Sequence, residues 1–168
     1  MALSAPVGPQ ADAELQRLQQ DFEAAEATFN SINQPDSIAE FNRIITVLER
    51  RLAAGDDAQA RALLVAGLAY RARASFNNGD NGTADADIRA MIIADPTTTL
   101  DREVSPRFLE LFENIRADMV GYVYFGVSPA DAEIRVDGRL LQPGMASYAV
   151  VAGAHAVVAE RPGYRPVQ

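Results

Sequence analysis

The stretch Asp118-Met119-Val120-Gly121-Tyr122-Val123-Tyr124-Phe125 decides the fold, because the composition of the chain changes across it. Before it, the sequence is rich in Ala, Leu, Glu, Gln and Arg, which are strong helix formers. From Met119 onward, the final 50 residues hold six of the eleven glycines, four of the five tyrosines and nine valines, as is typical of strands and tight turns. We predict an α+β protein with a disordered segment over residues 1–10, a helical domain over 11–119 and a small β domain over 120–168.

Five amphipathic helices are predicted in the first part of the chain. Apolar residues recur there at steps of three and four, the spacing that places side chains on one face of a helix. Joined by short turns, such helices form an antiparallel α-hairpin array. The five stripes run from Leu15 to Phe29, from Ile38 to Leu52, from Leu63 to Tyr70, from Ile88 to Ile93 and from Phe108 to Met119.

Polar residues, glycine and proline predict where these helices begin and end. Ser37-Ile38-Ala39-Glu40 has the spacing of a capping box, and Gly55 suits a left-handed position after the second helix. Pro96 ends the fourth helix, because the residue before a proline is pushed out of the α region. Further N-caps are expected at Asp56 or Asp57, at Thr83 or Asp85 and at Ser105, and a C-cap at Gly79.

Part of the helical domain resembles tetratricopeptide repeats. Ala66-Gly67-Leu68-Ala69-Tyr70, followed by residues 86–96 with their Ala94-Asp95-Pro96 turn, is the best partial match. The Trp-Leu-Gly-Tyr signature of that family is not present, so the resemblance is one of helix pattern. It implies a short, compact stack of helix pairs that binds another protein.

The composition argues against most enzyme classes. The chain has no cysteine, its 15 basic residues are all arginine, and His155 is its one histidine. Disulfides, thiolate metal sites, cysteine nucleophiles, Schiff-base chemistry and a Walker-type phosphate loop each require a residue type that is missing. We therefore expect a protein that is not an enzyme and needs no cofactor.

The net charge of −8 argues against polyanionic partners. It arises entirely before Met119, where there are 19 acidic and 11 basic residues, against four of each afterwards. A nucleic-acid binder needs surplus cations, and an anionic membrane repels an acidic protein. No stretch approaches the ~18 apolar residues of a transmembrane helix. We expect neither nucleic-acid binding nor membrane insertion.

The oxygen-rich segment Asn77–Asp87 does not have the spacing of a calcium loop. With Asn77 at position 1, Gly82 falls correctly at position 6, but position 12, which needs a bidentate acid, is Ile88. The segment is interpreted as the end of one helix and the start of the next, and no metal site is predicted.

The second part of the chain is predicted to consist of β-hairpins. Strands are expected over residues 122–127, 133–136, 148–151 and 155–160, separated by turns that contain Gly, Pro and Asp. Asp137-Gly138 is a strong hairpin-turn dipeptide.

Short motifs follow one another in a fixed order between Gly121 and Tyr164. They are Ser128-Pro129, Ala132, Val136-Asp137-Gly138, Ala152-Gly153 with His155, and Pro162-Gly163-Tyr164. Together they resemble the PEGA domain, a small β-rich module of bacterial and archaeal surface proteins that is named for a Pro-Glu-Gly-Ala turn. That turn is Pro129-Ala130-Asp131-Ala132 here, and the usual Gly-x-x-Pro segment is present only as Pro143-Gly144. The resemblance implies a β-sandwich-like module.

The PEGA resemblance also implies a compartment and an unfinished end. The protein is expected in the periplasm or cell envelope, after removal of a signal peptide that this chain does not contain. Because the family's domain continues into a further strand, the module is expected to be incomplete at Gln168. An exposed β edge would then pair with a second copy or with another partner.

Tyr122, Tyr124, Tyr148 and Tyr164 are candidate partner contacts, since exposed aromatic rings suit interfaces, although cross-strand packing is the alternative. His155 is the one side chain suited to acid–base work near neutral pH. Its place beside a turn favours a structural role in which it bonds a neighbouring carbonyl. For Asp137, the hairpin turn is the preferred interpretation.

We interpret the chain as a non-catalytic scaffold or binding protein of the cell envelope. Its helical hairpins engage a protein partner, and its PEGA-like module contacts a neighbouring subunit or a cell-wall polymer. A cytoplasmic protein–protein adaptor is one alternative. A glycan hydrolase is another, and it requires two carboxylates that face each other across a cleft, one of them with a raised pKa.

Overall fold

The computed structural model describes residues 9–101, 103–129 and 131–164, and its fold is α+β, as predicted. The chain divides into two compact units between Asp118 and Met119. The helices are α1 (Pro9–Phe29), α2 (Ser37–Ala54), α3 (Ala58–Asn77), α4 (Asn81–Ala94) and α5 (Pro106–Met119), with a 3-10 helix (Gln34–Asp36) before α2. The strands are β1 (Val120–Tyr124), β2 (Glu133–Val136), β3 (Arg139–Leu140), β4 (Ser147–Val151) and β5 (Val157–Glu160).

The segment that we expected to be disordered, residues 1–10, falls mostly outside the described residues. Residues 1–8 are not described, and α1 begins at Pro9, within that segment.

The apolar stripes form the core of the helical unit. α1 packs on α2, α2 on α3, and α3 on α4. Phe41 and Leu48 of α2, Leu68 of α3 and Ile88 of α4 are each at most 2% exposed. Burying a side chain of this size contributes roughly 1.5–3 kcal/mol. The predicted stripes therefore identify most of this core.

Helices α2 and α3 approach closely at Gly67. A β-carbon at this position would lie 3.4 Å from Cγ1 of Ile45, so it would just fit, and a side chain larger than alanine would press on Ile45. One turn further along α3, the ring of Tyr70 stacks on Phe41 with centroids 5.5 Å apart and meets two rings of α1 edge-on. The close crossing and the aromatic cluster join α1, α2 and α3.

Ile93 does not belong to the buried stripe of α4, to which the sequence pattern assigned it. Ile88, Met91 and Ile92 are buried, whereas Ile93 is 63% exposed. At 3.6 residues per turn, the side chains of three consecutive residues span about 200° around the helix axis. That arc is wider than the face that α4 buries, so one of the three is left in solvent.

The capping box predicted at Ser37 and Glu40 is wrong. The 3-10 helix leads directly into α2, so Asp36 at the N-cap already has helical angles, φ −67° and ψ −27°, and makes no side-chain cap bond. Ser37 is the first residue of α2, and its hydroxyl donates to the Gln34 carbonyl at 2.6 Å. The serine therefore stabilises the preceding turn.

The predicted N-caps of α3 and α5 are confirmed, whereas the predicted left-handed conformation of Gly55 is wrong. Asp57 caps α3, with Oδ1 accepting from the amides of Gln59 and Ala60 at 3.0 Å each. Ser105 Oγ accepts from the amide of Phe108, the third residue of α5, at 3.3 Å. Gly55, after α2, has φ 172° and ψ 164°, which is extended backbone and not the left-handed conformation.

The turn between α3 and α4 uses an unexpected N-cap. Gly79 follows α3 with φ +83°, and the next amide, that of Asp80, reaches back to the Ser75 carbonyl at 2.9 Å, as the C-cap prediction requires. The N-cap of α4 is Asp80, not Thr83 or Asp85. Oδ1 of Asp80 accepts from the Thr83 amide at 3.0 Å, and Oδ2 accepts from its hydroxyl at 2.6 Å.

The β unit consists of two small antiparallel sheets. β1 pairs with β4, from Val120 opposite Val151 to Tyr124 opposite Ser147. The second sheet has the order β3-β2-β5. β1 lies earlier in the chain than predicted, and β5 begins later, which leaves His155 in the β4–β5 loop.

Residues from both sheets share one small hydrophobic core. Val136 of β2, Val150 of β4 and Leu141 are buried at its centre. The partly buried residues packed against them are Val123, Phe125, Ile134, Met145, Tyr148 and Val157. With so few fully buried side chains, the stability of this unit depends on its turns and hydrogen bonds as well. The expected unfinished end of the module, residues 165–168, lies outside the described residues.

Candidate functional site

Tyr122 and Tyr124 lie on the same face of the sheet formed by β1 and β4, because alternate residues of a strand point to the same side. Their cross-strand partners are Ala149 and Ser147, respectively. Tyr122 is 53% exposed and Tyr124 is 79% exposed. Ala149 is buried and Ser147 is partly buried, so the exposed area comes mainly from the two rings, and we call this surface the tyrosine face. None of the four carries a charge, so this is an aromatic and uncharged surface.

The other two candidate tyrosines lie elsewhere. Tyr148 pairs with Val123, and both pack against the hydrophobic core, which corresponds to cross-strand packing and not to a surface contact. Tyr164 is 59% exposed, and the guanidinium of Arg161 lies 5.1 Å from its ring centroid. The structure thus brings Tyr122 and Tyr124 together and turns Tyr148 inward.

His155 is held between two oxygen atoms. Its Nδ1 lies 2.7 Å from Oδ2 of Asp137, and its Nε2 lies 2.5 Å from the carbonyl oxygen of Val151. The second contact confirms the predicted bond to a neighbouring carbonyl. Oδ1 of Asp137 also accepts from the Ala156 amide at 3.0 Å. Both nitrogens of the ring are therefore engaged within the fold.

The contact between Asp137 and His155 shifts both pKa values toward the charged forms. The hydrogen bond from His155 is the main reason that the pKa of Asp137 lies below its ordinary value, and the Ala156 amide adds to the effect. The hydrogen bond to Asp137, followed by the one to Val151, raises the pKa of His155. The sequence pointed to each residue singly as part of a turn. No local signal joins them, because the contact depends on the pairing of β2 with β5 within the three-stranded sheet.

A cavity of about 290 Å³ lies in the β unit. Binding sites for small molecules usually have about 300–1,000 Å³, so this cavity is at the small end of that range. Leu140, which sequence reasoning did not single out, is 53% exposed and forms part of the wall. The other residues that line the cavity are mostly apolar, and two are acidic, Asp131 and Glu133. The apolar ones include Phe125, Val127, Ile134, Leu141 and Met145.

A smaller groove of about 210 Å³ is lined by Asp21 and Ala24 of α1 and by Glu40, Arg43 and Ile44 of α2. Oε2 of Glu40 is buried there with no hydrogen-bond partner among the described residues. The hydrolase alternative requires two facing carboxylates, one of them desolvated. Asp21 is exposed, and Arg43 shares the groove. This arrangement differs from the pair that a glycosidase uses.

Within residues 9–101, 103–129 and 131–164, no three His, Asp or Glu side chains are grouped so that they could hold a metal ion. Over the same ranges, none of the helices is both long and apolar enough to cross a membrane.

Comparisons with protein-family models, with curated proteins and with solved structures found no match to this chain.

Proposed function

We propose that this chain is a non-catalytic binding or scaffold protein of the bacterial cell envelope. In this proposal, helical hairpins of the tetratricopeptide type engage a protein partner. The β unit is a PEGA-like, sandwich-like module that contacts a neighbouring subunit or a cell-wall polymer. The observation that carries the proposal is the tyrosine face.

The tyrosine face has the properties of a contact surface. Tyrosine offers a large apolar ring with a polar tip, and it is enriched where proteins meet other molecules. Tyr122 and Tyr124 expose more than half of their surface at adjacent positions on one side of a sheet. Opposite them, Ala149 is buried and Ser147 is partly buried, so the two rings supply most of the exposed area of this face. Such a surface suits a flat, uncharged part of a partner protein or the sugar rings of a polymer.

The surroundings of His155 support a non-catalytic role. A general base needs a nitrogen that is free to accept a proton from a substrate. Both nitrogens of this ring instead lie within hydrogen-bond distance of oxygen atoms of the fold. The one imidazole of the chain thus supports a structural role and not general-base catalysis.

Turn geometry supports the PEGA-like part of the proposal. Asp137 and Gly138 both have positive φ, +50° and +81°, as a tight two-residue hairpin requires. They join β2 to β3 at the place where the motif Val136-Asp137-Gly138 predicts a hairpin. The proposed compartment rests on this family resemblance. The alternative is a cytoplasmic adaptor, and cell fractionation would distinguish the two by showing where the protein is found.

The proposal is tested by removing the two exposed rings together. In cells that produce the protein, the double variant Tyr122→Ser/Tyr124→Ser is compared with the wild type for its presence in large complexes and in the cell-wall pellet. Ile93→Ser, which removes an exposed apolar side chain from α4, is the matched control. We expect the double variant to be released into the free fraction and the control to behave as the wild type. Equal distribution of all three proteins would refute the role of the tyrosine face.

A further inference from the structure

The ring of His155 contacts one group from each of the two sheets. One ring nitrogen contacts the carboxylate of Asp137, which lies in the β2–β3 turn of the three-stranded sheet. The other contacts the carbonyl of Val151, the last residue of β4 in the two-stranded sheet. The side chain of His155 is only 18% exposed, so the ring is largely shielded from solvent between these two acceptors.

The two contacts require two N–H groups. A neutral imidazole has one N–H and one lone pair, whereas the imidazolium has two donors. A carbonyl oxygen can only accept, and an ionised carboxylate can only accept as well. With acceptors 2.7 Å and 2.5 Å from the two nitrogens, a neutral ring would direct its lone pair at an oxygen atom. The geometry is therefore complete only when the ring is protonated.

We propose that protonated His155 is a pH-sensitive clamp that joins the β2–β3 turn to the end of β4. Loss of the proton removes one of the two hydrogen bonds and the charge attraction to Asp137. The side-chain link between the β2–β3 turn and the end of β4 is then lost, while the hydrogen bonds between Asp137 and the backbone of Ala156 remain.

Among the residues that the structure describes, few charged groups surround the ring. Asp137 faces it from the β2–β3 turn, and Arg139 of β3 acts on the same carboxylate. β4 contains no charged residue, and the one in β5 is Glu160, at the far end of that strand. The attraction between His155 and Asp137 is thus the dominant charge interaction at this site.

The direction of the pH effect follows from the raised pKa of His155. In the unfolded chain, a histidine titrates at about pH 6.5. Below that pH, both states hold the proton and the clamp is fully formed. Between that pH and the higher folded pKa, the folded state binds more protons than the unfolded state, so stability falls as pH rises. In this window, the unfolding constant increases by up to about tenfold per pH unit.

The test uses the fact that His155 is the one histidine of the chain. Its ring protons are followed by NMR from pH 5 to 9 in the full chain, and urea unfolding is measured over the same range. Asp137→Asn is the first variant, because asparagine has the same shape and tolerates positive φ. His155→Gln is the second.

We expect the wild-type histidine to titrate above pH 6.5 and Asp137→Asn to lower that pKa. We also expect the stability of His155→Gln to be flat where that of the wild type falls. A wild-type pKa at or below 6.5 would overturn the proposal. An unchanged pKa of His155 in Asp137→Asn would also overturn it, and this pKa can be measured even if His155→Gln does not fold.

Discussion

Arg71 of α3 and Asp87 of α4 form a two-point ion pair, with Nε 2.8 Å from Oδ2 and Nη2 2.5 Å from Oδ1. Asp87 is only 3% exposed. The remaining guanidinium nitrogen, Nη1, donates to Oδ1 of Asn42 at 2.6 Å, so one arginine connects α2, α3 and α4. Parallel hydrogen bonds of this kind are the strongest that side chains form.

Removing one member of this pair should destabilise the helical unit severely. Breaking a buried ion pair leaves an uncompensated charge and typically costs about 3–5 kcal/mol. We expect Asp87→Leu to show such a loss in urea unfolding. In Arg71→Met/Asp87→Leu, which removes both charges, most of the stability should return. A double variant that is less stable than Asp87→Leu alone would contradict this interpretation.

Neighbouring isoleucines in α4 should differ sharply in their effects on stability. Ile92 is 1% exposed and Ile93 is 63% exposed. Truncation of a buried isoleucine to alanine costs about 2–5 kcal/mol, because it removes contacts and leaves a cavity. Surface substitutions usually change stability by less than about 0.5 kcal/mol. Thermal and urea unfolding of Ile92→Ala and Ile93→Ala would measure the difference, and equal losses would show that α4 is rotated from the orientation described.

Asp57 should stabilise α3 mainly as an N-cap. Its carboxylate accepts from two amides of the helix and also contacts Arg51, with Oδ2 2.7 Å from Nη2. Loss of an N-cap costs about 0.5–2 kcal/mol. We expect Asp57→Ala to be destabilised by this amount and Asp57→Ser, which keeps a cap but not the ion pair, to recover most of it. If serine is no better than alanine, the ion pair is the larger contribution.

Asp57 should also make the stability of the protein depend on pH in the acid range. The bond from the Ala60 amide is the largest influence that lowers the pKa of Asp57, and Arg51 adds to it. The folded state therefore holds the charged form more strongly than the unfolded state does. Its contribution is complete above the ordinary pKa of about 3.9 and is lost as the pH falls through the lowered value. Urea unfolding from pH 6 to 2 should show a smaller acid loss in Asp57→Ser than in the wild type.

The division into helices and strands could be predicted from sequence because it rests on composition and periodicity. Both are local properties, and the stripes of α1, α2 and α5 contain the residues that the structure buries. The helix ends were harder to predict. Ser37 has the spacing of a capping box, but that motif needs an extended backbone at the serine, and the 3-10 helix before it removes this condition. Around α4, Asp80, Thr83 and Asp85 all suit an N-cap, and composition does not choose between them.

The candidate site was predictable only in part. Alternation along β1 places Tyr122 and Tyr124 on one side, which the spacing of two residues already indicates. Alternation does not show which side of the strand is buried. The sequence therefore suggests Tyr148 as a third contact, whereas its position opposite Val123 turns it toward the core. The pairing of Asp137 with His155 spans 18 residues and depends on the register of β2 against β5. No pattern within either segment contains that information.

The two sides of the sheet β1–β4 should differ in their contribution to stability. Tyr148 packs against the core of the β unit, whereas Tyr124 is 79% exposed. We expect Tyr148→Ala to destabilise the protein by about 1.5–3 kcal/mol, the range for burial of a large side chain. Tyr124→Ala should change stability by less than about 0.5 kcal/mol. Circular dichroism during urea unfolding would measure both, and a large loss in Tyr124→Ala would assign that ring to the fold and not to a contact surface.

The contact role of the tyrosine face can be measured by cross-linking in the cells that produce the protein. A photoreactive phenylalanine analogue is placed at position 124 and, as a control on α4, at position 93, since Tyr124 and Ile93 are both exposed. After irradiation, the products are separated by cell fraction and identified by mass spectrometry. We expect position 124 to cross-link to a protein or a wall polymer of the envelope fraction, and position 93 to give no such product. Equal yields at the two positions, or products at position 124 that are found in the cytoplasmic fraction, would contradict the proposal.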